Sequence, residues 1–421
     1  MNKKAITKLQ AVVIGAIIVI AALAVSVYYI FTKPAEKTEI VFGSTCALSG
    51  AEIGISKPIW VGQKVAIDEI NAKGGIYVPE LGKRLPVRWI YYDDENDASK
   101  AALYYERLIT VEKVDFVLSC FNDANLLAVI SICEKYGYPI ICTGAISPEI
   151  PKRGLKYAFD YFASAEHMPL VFIDFLDYIR KNVPQNIAPK TIAIMATNDD
   201  LKYCGRSAKE YAEKLGFEVV YYVEYADPGT DDFTPFIQEM KARNPDVIAN
   251  MGHALDSVKL VRQLVEQGLS PKLWASSIGF YDPAFREALG VYANETYSST
   301  GWGQVTTPTE KAAMDDIIAR ARQIYEPAGD DVLAPYTGVM ILKEAIEAVG
   351  LDRDKVRDYI ATHEFHFAWV GETVKFNEMQ WYPVKSEAVG ILINGEQKLV
   401  YPTAVAEVPI VYPMTPWNKR G

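Results

Sequence analysis

Ile40-Val41-Phe42-Gly43 opens the decisive stretch, followed by the loop Thr45-Cys46-Ala47-Leu48-Ser49-Gly50. A helical run then ends Ala66-Ile67-Asp68-Glu69-Ile70-Asn71-Ala72-Lys73-Gly74-Gly75-Ile76. A second apolar strand, Leu85-Pro86-Val87-Arg88-Trp89-Ile90-Tyr91-Tyr92, runs into Asp93-Asp94-Glu95-Asn96-Asp97-Ala98-Ser99-Lys100-Ala101. The order is strand, helix, strand, acidic loop, helix. Such alternation predicts a parallel sheet covered by helices on both faces.

The same rhythm continues along the chain. Predicted strands are Ile40–Ser44, Val87–Tyr92, Phe116–Ser119, Ile140–Cys142, Thr191–Ala196, Glu218–Tyr225, Val247–Met251, Leu273–Ser276 and Thr296–Thr300. Between them lie helical stretches such as Ala98–Val111, Ala124–Tyr136, Ser207–Leu215, Thr234–Arg243 and Ser257–Gln267. Asn122 or Asp123 is the expected cap of the second of these, Asp256 of the last. Gly137, Gly216 and Gly268 stand where helices should stop.

The pattern occurs twice, over about residues 38–160 and 161–300. The remaining third has long helices, Glu310–Tyr325, Tyr336–Val349 and Lys355–Thr362. A hairpin follows, Ala388–Ile393 and Lys398–Tyr401 around Asn394-Gly395. The expected fold class is α/β, with two doubly wound parallel-sheet lobes sharing the last third. Lobe I takes residues 38–160 plus about 301–380, and lobe II residues 161–300 plus about 381–405. Residues 406–421 read as an extended surface tail. Open α/β sheets bind ligands beyond the carboxyl ends of their strands, so two such lobes place a site in the cleft between them.

Composition narrows the function. Half of the 421 residues are apolar and the net charge is −10, which argues against nucleic acid as a partner. Ala11–Phe31 carries no charge and follows Lys3, Lys4 and Lys8. That segment, within residues 1–37, is long enough to cross a membrane and leaves the rest of the chain outside. Ala22-Leu23-Ala24 keeps a cleaved signal open as the alternative. Five cysteines, Cys46, Cys120, Cys133, Cys142 and Cys204, are read either as small buried residues or as containing a disulfide.

Signatures of chemistry are missing. No G-x-G-x-x-G follows a strand, and there is no G-x-x-x-x-G-K-[ST] or G-x-S-x-G. His363 and His366 lack the partners of a metal site. The acidic run Asp93–Asp97 lacks the central Gly and distal Glu of a calcium loop and reads as a helix cap. No catalytic residue, metal or cofactor is expected.

The opening phrase resembles the start of type I solute-binding proteins, receptors of amino-acid and amide ABC importers. The resemblance covers nearly the whole chain after residue 38. It includes Gly74-Gly75-Ile76-Tyr77-Val78-Pro79-Glu80-Leu81-Gly82-Lys83-Arg84-Leu85-Pro86-Val87. It implies a three-crossover hinge and closure on a small polar, carboxylate or amide ligand. It also implies delivery to an ABC permease and ATPase at the outer face of the membrane. A ligand sensor acting through a membrane signalling partner is the alternative.

In that family the ligand carboxylate sits on hydroxyls and N–H groups at the ends of the third and fourth strands. The matching loops here are Cys120-Phe121-Asn122-Asp123 and Thr143-Gly144-Ala145-Ile146-Ser147. The resemblance implies ligand contacts for Ser49, Phe121, Asn122, Thr143, Gly144, Ala145, Tyr203, His253, Ile278 and Phe280. Asp123 departs from the family's Ser; it either caps the helix or meets the ligand. Ile278 stands where amino-acid receptors carry the acid that pairs with the ammonium. Either Asp123 or Asp199 replaces that acid, or the ligand has no α-ammonium. Ile55 and Trp60, with Phe121, Tyr203 and Phe280, are the candidates for an aromatic lining.

Overall fold

Strands form where the apolar runs predict them. The computed structural model describes residues 37–50, 53–162, 164–226, 229–277, 283–299, 307–371, 373–383 and 388–420. The chain divides into two units, Met1–Glu39 and Ile40–Gly421. The apolar segment Ala11–Phe31 lies outside the described residues. Among those described, no helix is long and apolar enough to cross a membrane.

The first α/β set contains β1 (Ile40–Cys46), α1 (Ile53–Ala72), β2 (Ile76–Val78), β3 (Lys83–Leu85), β4 (Val87–Asp93) and α2 (Ala98–Thr110). It continues with β5 (Phe116–Val117), α3 (Asp123–Tyr136), β6 (Ile140–Cys142) and β7 (Ala158–Phe162). The second set begins with α4 (Leu170–Asn182), β8 (Thr191–Thr197), α5 (Leu201–Lys214), β9 (Glu218–Tyr225) and α6 (Thr234–Arg243). Then come β10 (Val247–Met251), α7 (Ala254–Glu266), β11 (Leu273–Ser276), α8 (Pro283–Leu289) and β12 (Tyr297–Ser299). The last third has α9 (Pro308–Arg322), α10 (Leu333–Val349), α11 (Arg353–Thr362), β13 (Phe365–His366) and β14 (Thr373–Val374). It ends with β15 (Trp381–Pro383), β16 (Val389–Ile393) and β17 (Glu396–Tyr401).

The first set, joined by β15 of the last third, forms two parallel three-stranded sheets, β4-β1-β5 and β15-β7-β6. The second set, joined by β16 and β17 of the last third, forms one seven-stranded sheet, β17-β16-β12-β11-β10-β8-β9, antiparallel only at β12-β16-β17. Its central strands β10 and β11 are buried throughout and mostly apolar, because both faces are covered. On β8, Ile192, Ile194 and Ala196 point into one core and Ala193 and Met195 into another.

Local sequence explains the element ends. Asp97 caps α2 by accepting from Ser99 N at 2.8 Å and Lys100 N at 3.0 Å. Asp93 and Asp94 likewise hold backbone N–H groups of their own loop. Gly137 closes α3 in the left-handed conformation.

Several expectations shift. α5 begins at Leu201, whose N–H Asp199 holds at 2.9 Å, rather than at Ser207, and it packs closely on the sheet: a Cβ on Gly205 would come within 2.6 Å of Ala196. β5 stops at Val117. Asp256 does not cap α7; it is buried inside the first turn, bonded to the Tyr225 hydroxyl. The tail after residue 406 is extended but anchored. Met414 and Trp417 are buried, and Trp417 Nε1 donates to Leu269 O at 3.1 Å. All five cysteines are buried free thiols, and burial pushes the Cys46, Cys133 and Cys204 thiols up.

Candidate functional site

Two loops of the first set meet at the carboxyl ends of β5 and β6. Asn122 N donates to Gly144 O at 2.8 Å. The approach is so close that a Cβ on Gly144 would sit 2.6 Å from Cys120 O. Gly144 is therefore required by backbone contact. Asn122, at φ 74°, caps α3 by accepting from Asn125 N at 3.2 Å. It also donates to Asn96 Oδ1 at 2.8 Å. Phe121 is half-buried beside it.

Asp123 does something else. Its Oδ1 accepts from Ile146 N at 2.9 Å and Ser147 N at 2.7 Å. It thus bridges the two loops instead of capping its helix. Burial pushes this carboxyl up, Asp200 and Asp199 push the same way, and the two N–H bonds oppose; the result is about 7.

Loops of the second set come to the same place. Ser147 donates its hydroxyl to Asp200 Oδ1 at 3.3 Å. Asp199 Oδ1 accepts from Thr197 Oγ1 at 2.6 Å and Leu201 N at 2.9 Å. Asp199 Oδ2 lies 2.7 Å from His253 Nε2. Burial raises the Asp199 carboxyl, but His253 and Thr197 outweigh it and hold it below the usual range. Burial raises Asp200, against Lys202 and Ser147.

The expected residues divide. Asn122, Asp123, Gly144, Ala145 and His253 lie on these loops. Tyr203 is half-buried on α5, with Lys202 Nζ 5.1 Å from its ring centroid. Ser49 is exposed and bonds Asp93 through its hydroxyl and N–H. Thr143 is buried, with its methyl against Gly338 of α10 and its hydroxyl unpartnered near a void of about 10 Å³ lined by Gln63 and Ser119. Trp60 stacks on Trp89 at 5.8 Å, in a separate aromatic cluster with Tyr91. Ile278 and Phe280 lie outside the described residues.

Ser147 and Asp200 lie in segments the sequence pointed to but were not among the expected contacts, and Asp160 was missed altogether. Asp160 has a visible signal, an acid inside the apolar run Ala158-Phe159-Asp160-Tyr161-Phe162. It is 6% exposed, and its Oδ1 has no hydrogen-bond partner. Burial pushes it far up, and Asp123 adds to the shift. Among the described residues no His, Cys, Asp and Glu cluster is suited to a metal ion.

The parallel sheets with converging strand-end loops define a ligand-binding α/β protein. The family model for periplasmic binding proteins matches residues 39–378, and the chain belongs to that family. It is 27% identical over 336 residues to Leu/Ile/Val-binding protein homolog 8 of Brucella abortus (strain 2308), covering 76% of this chain and 80% of that protein. Two solved structures share the fold. One is a putative branched-chain amino acid ABC transporter protein from Silicibacter pomeroyi (TM-score 0.75, 18% identity, 90% of this chain and all of that one). The other is LivJ of Streptococcus pneumoniae in complex with isoleucine (TM-score 0.71, 21% identity, 87% of this chain and all of that one).

Proposed function

We propose that the protein is an extracytoplasmic solute receptor with no catalytic role, which closes on a small polar ligand and hands it to an ABC permease and its ATPase. The observation that carries this is the Ser147–Asp200 hydrogen bond, which ties a loop of the first α/β set to a loop of the second. A ligand held between such loops favours the state in which they meet. The relatives named for branched-chain amino-acid binding and transport support the solute class and the transport role. On this reading the boundaries at residues 38–160 with 301–380, and 161–300 with 381–405, are those of two hinged lobes. β15 then pairs across the expected boundary, since it joins β7. Ala11–Phe31 acts as an uncleaved membrane anchor.

The test is small-angle scattering of the purified chain, before and after stripping and restoring whatever metabolite co-purifies. A restored ligand should shrink the particle. Identical profiles at saturation would overturn the reading.

A further inference from the structure

The first-lobe loops were expected to cradle a ligand's carboxylate on their backbone N–H groups. In the structure a carboxylate of the protein already occupies part of that cradle: Asp123 takes the N–H groups of Ile146 and Ser147. An incoming anion would have to displace it and would face the acids around it. Asp200 is linked through Ser147, and Asp199 is one residue further.

Asp160 supplies an independent observation. It pairs in register with Cys142 on β6. Ala158, two residues earlier, packs with Cys142, Ala145 and the α3 residues Leu126 and Val129. Side chains two apart on a strand share a face. Asp160 therefore points to the α3 side, one step nearer the strand end where α3 begins at Asp123. Its buried Oδ1 is unpartnered there. Left alone, the group stays protonated and this oxygen still lacks a donor; a cationic N–H donor would both fill that acceptor and favour the ionised form. Other charges reach this place. Lys202 acts on Asp200 and is opposed by Asp199 and Glu149. Lys152 pairs with Glu149 at 3.1 Å, and His253 is engaged by Asp199. Thr143 lies on the opposite face, against α10.

We infer that this end of the site binds a positively charged nitrogen, an ammonium or guanidinium, which Asp160, Asp123 and Asp200 hold in place of the carboxylate the loops were expected to take. This rests on the receptor reading and specifies its ligand: an amine or guanidine, presented charge-first to the first lobe.

The experiment is calorimetric titration and thermal shift of the full chain at neutral pH. The probes are agmatine, putrescine, leucine and isovalerate. Agmatine or putrescine should bind and raise Tm, and isovalerate should not. Asp160→Asn, nearly isosteric, should weaken the amine at least about tenfold, as loss of a charged partner predicts. Asp200→Asn, on a half-buried loop, gives the same readout should the first variant fail to fold. The inference is overturned if neither amine binds, or if amine affinity is unchanged in the folded variants. Isovalerate binding without amine binding would overturn it while leaving the receptor reading intact. The receptor reading falls separately, if no co-purifying solute changes the scattering profile.

Discussion

Ser147 and Asp200 are joined by a hydrogen bond of 3.3 Å, although one follows β6 and the other opens α5. The bond exists only while the two strand-end loops are together. Ser147→Ala should therefore leave Tm nearly unchanged and weaken ligand binding. One bond to a partly exposed carboxylate contributes about 0.5–1.5 kcal/mol, so calorimetry should show roughly a 2–10-fold loss. Unchanged affinity would mean that the bond plays no part in closure.

Asp123 should make stability depend on pH. The unfolded chain ionises this residue near the usual value of about 4, whereas the folded chain holds its proton to about 7. The folded state binds more protons across that window, so stability falls as pH rises through it. Asp160 and Asp200 are also raised and act in the same direction. Asp199 is lowered and acts oppositely, its contribution being lost as pH falls through its folded value. Asp123→Asn keeps an oxygen acceptor for Ile146 and Ser147 without the charge. Calorimetric scans should show a smaller drop in Tm between about pH 4 and 7 than in the parent. An equal drop in both proteins would remove Asp123 as a cause.

Glu69 has the opposite sign. It sits on α1 and accepts from Lys73 at 2.6 Å, Arg320 of α9 at 2.7 Å and Tyr336 of α10 at 2.5 Å. Burial pushes its carboxyl up, but Lys73, Tyr336 and Arg320 outweigh that and hold it at about 2. Its contribution is complete above the usual Glu value of about 4.3 and is lost as pH falls toward 2. Glu69→Gln should cost about 1–3 kcal/mol in urea unfolding at neutral pH. The gap from the parent should close in acid.

The tail should matter for stability despite its irregular backbone. Trp417 is 2% exposed and packs in the core of the seven-stranded sheet with Trp274 and Phe285. Trp417→Ala removes a large buried side chain and should cost about 3–5 kcal/mol. Denaturant midpoints measure it directly. A loss under about 0.5 kcal/mol, ordinary for a surface change, would show that the tail is not anchored.

Apolar runs located β6, β9, β10 and β11, an amphipathic run located α6, and the alternation of strands with helices carried the fold class. Those features depend on whether neighbouring residues face oil or water, a property each segment contains in itself. The opening phrase made the family resemblance legible for the same reason: its turn residues and apolar positions are local. The N-terminal segment's likeness to a membrane span is also a matter of local composition.

The site was different. Sequence named the two loops after β5 and β6 but assigned their N–H groups to a ligand; tertiary structure turns Asp123 onto Ile146 and Ser147. It also turns Thr143 toward Gly338 and brings Ser147 to Asp200. Asp160 was not singled out in the sequence; only its register with Cys142 sets it on the face toward α3. None of these pairings is periodic. Each joins residues distant in sequence, through the direction a side chain takes once the sheets are packed, and that direction is settled only by the whole fold.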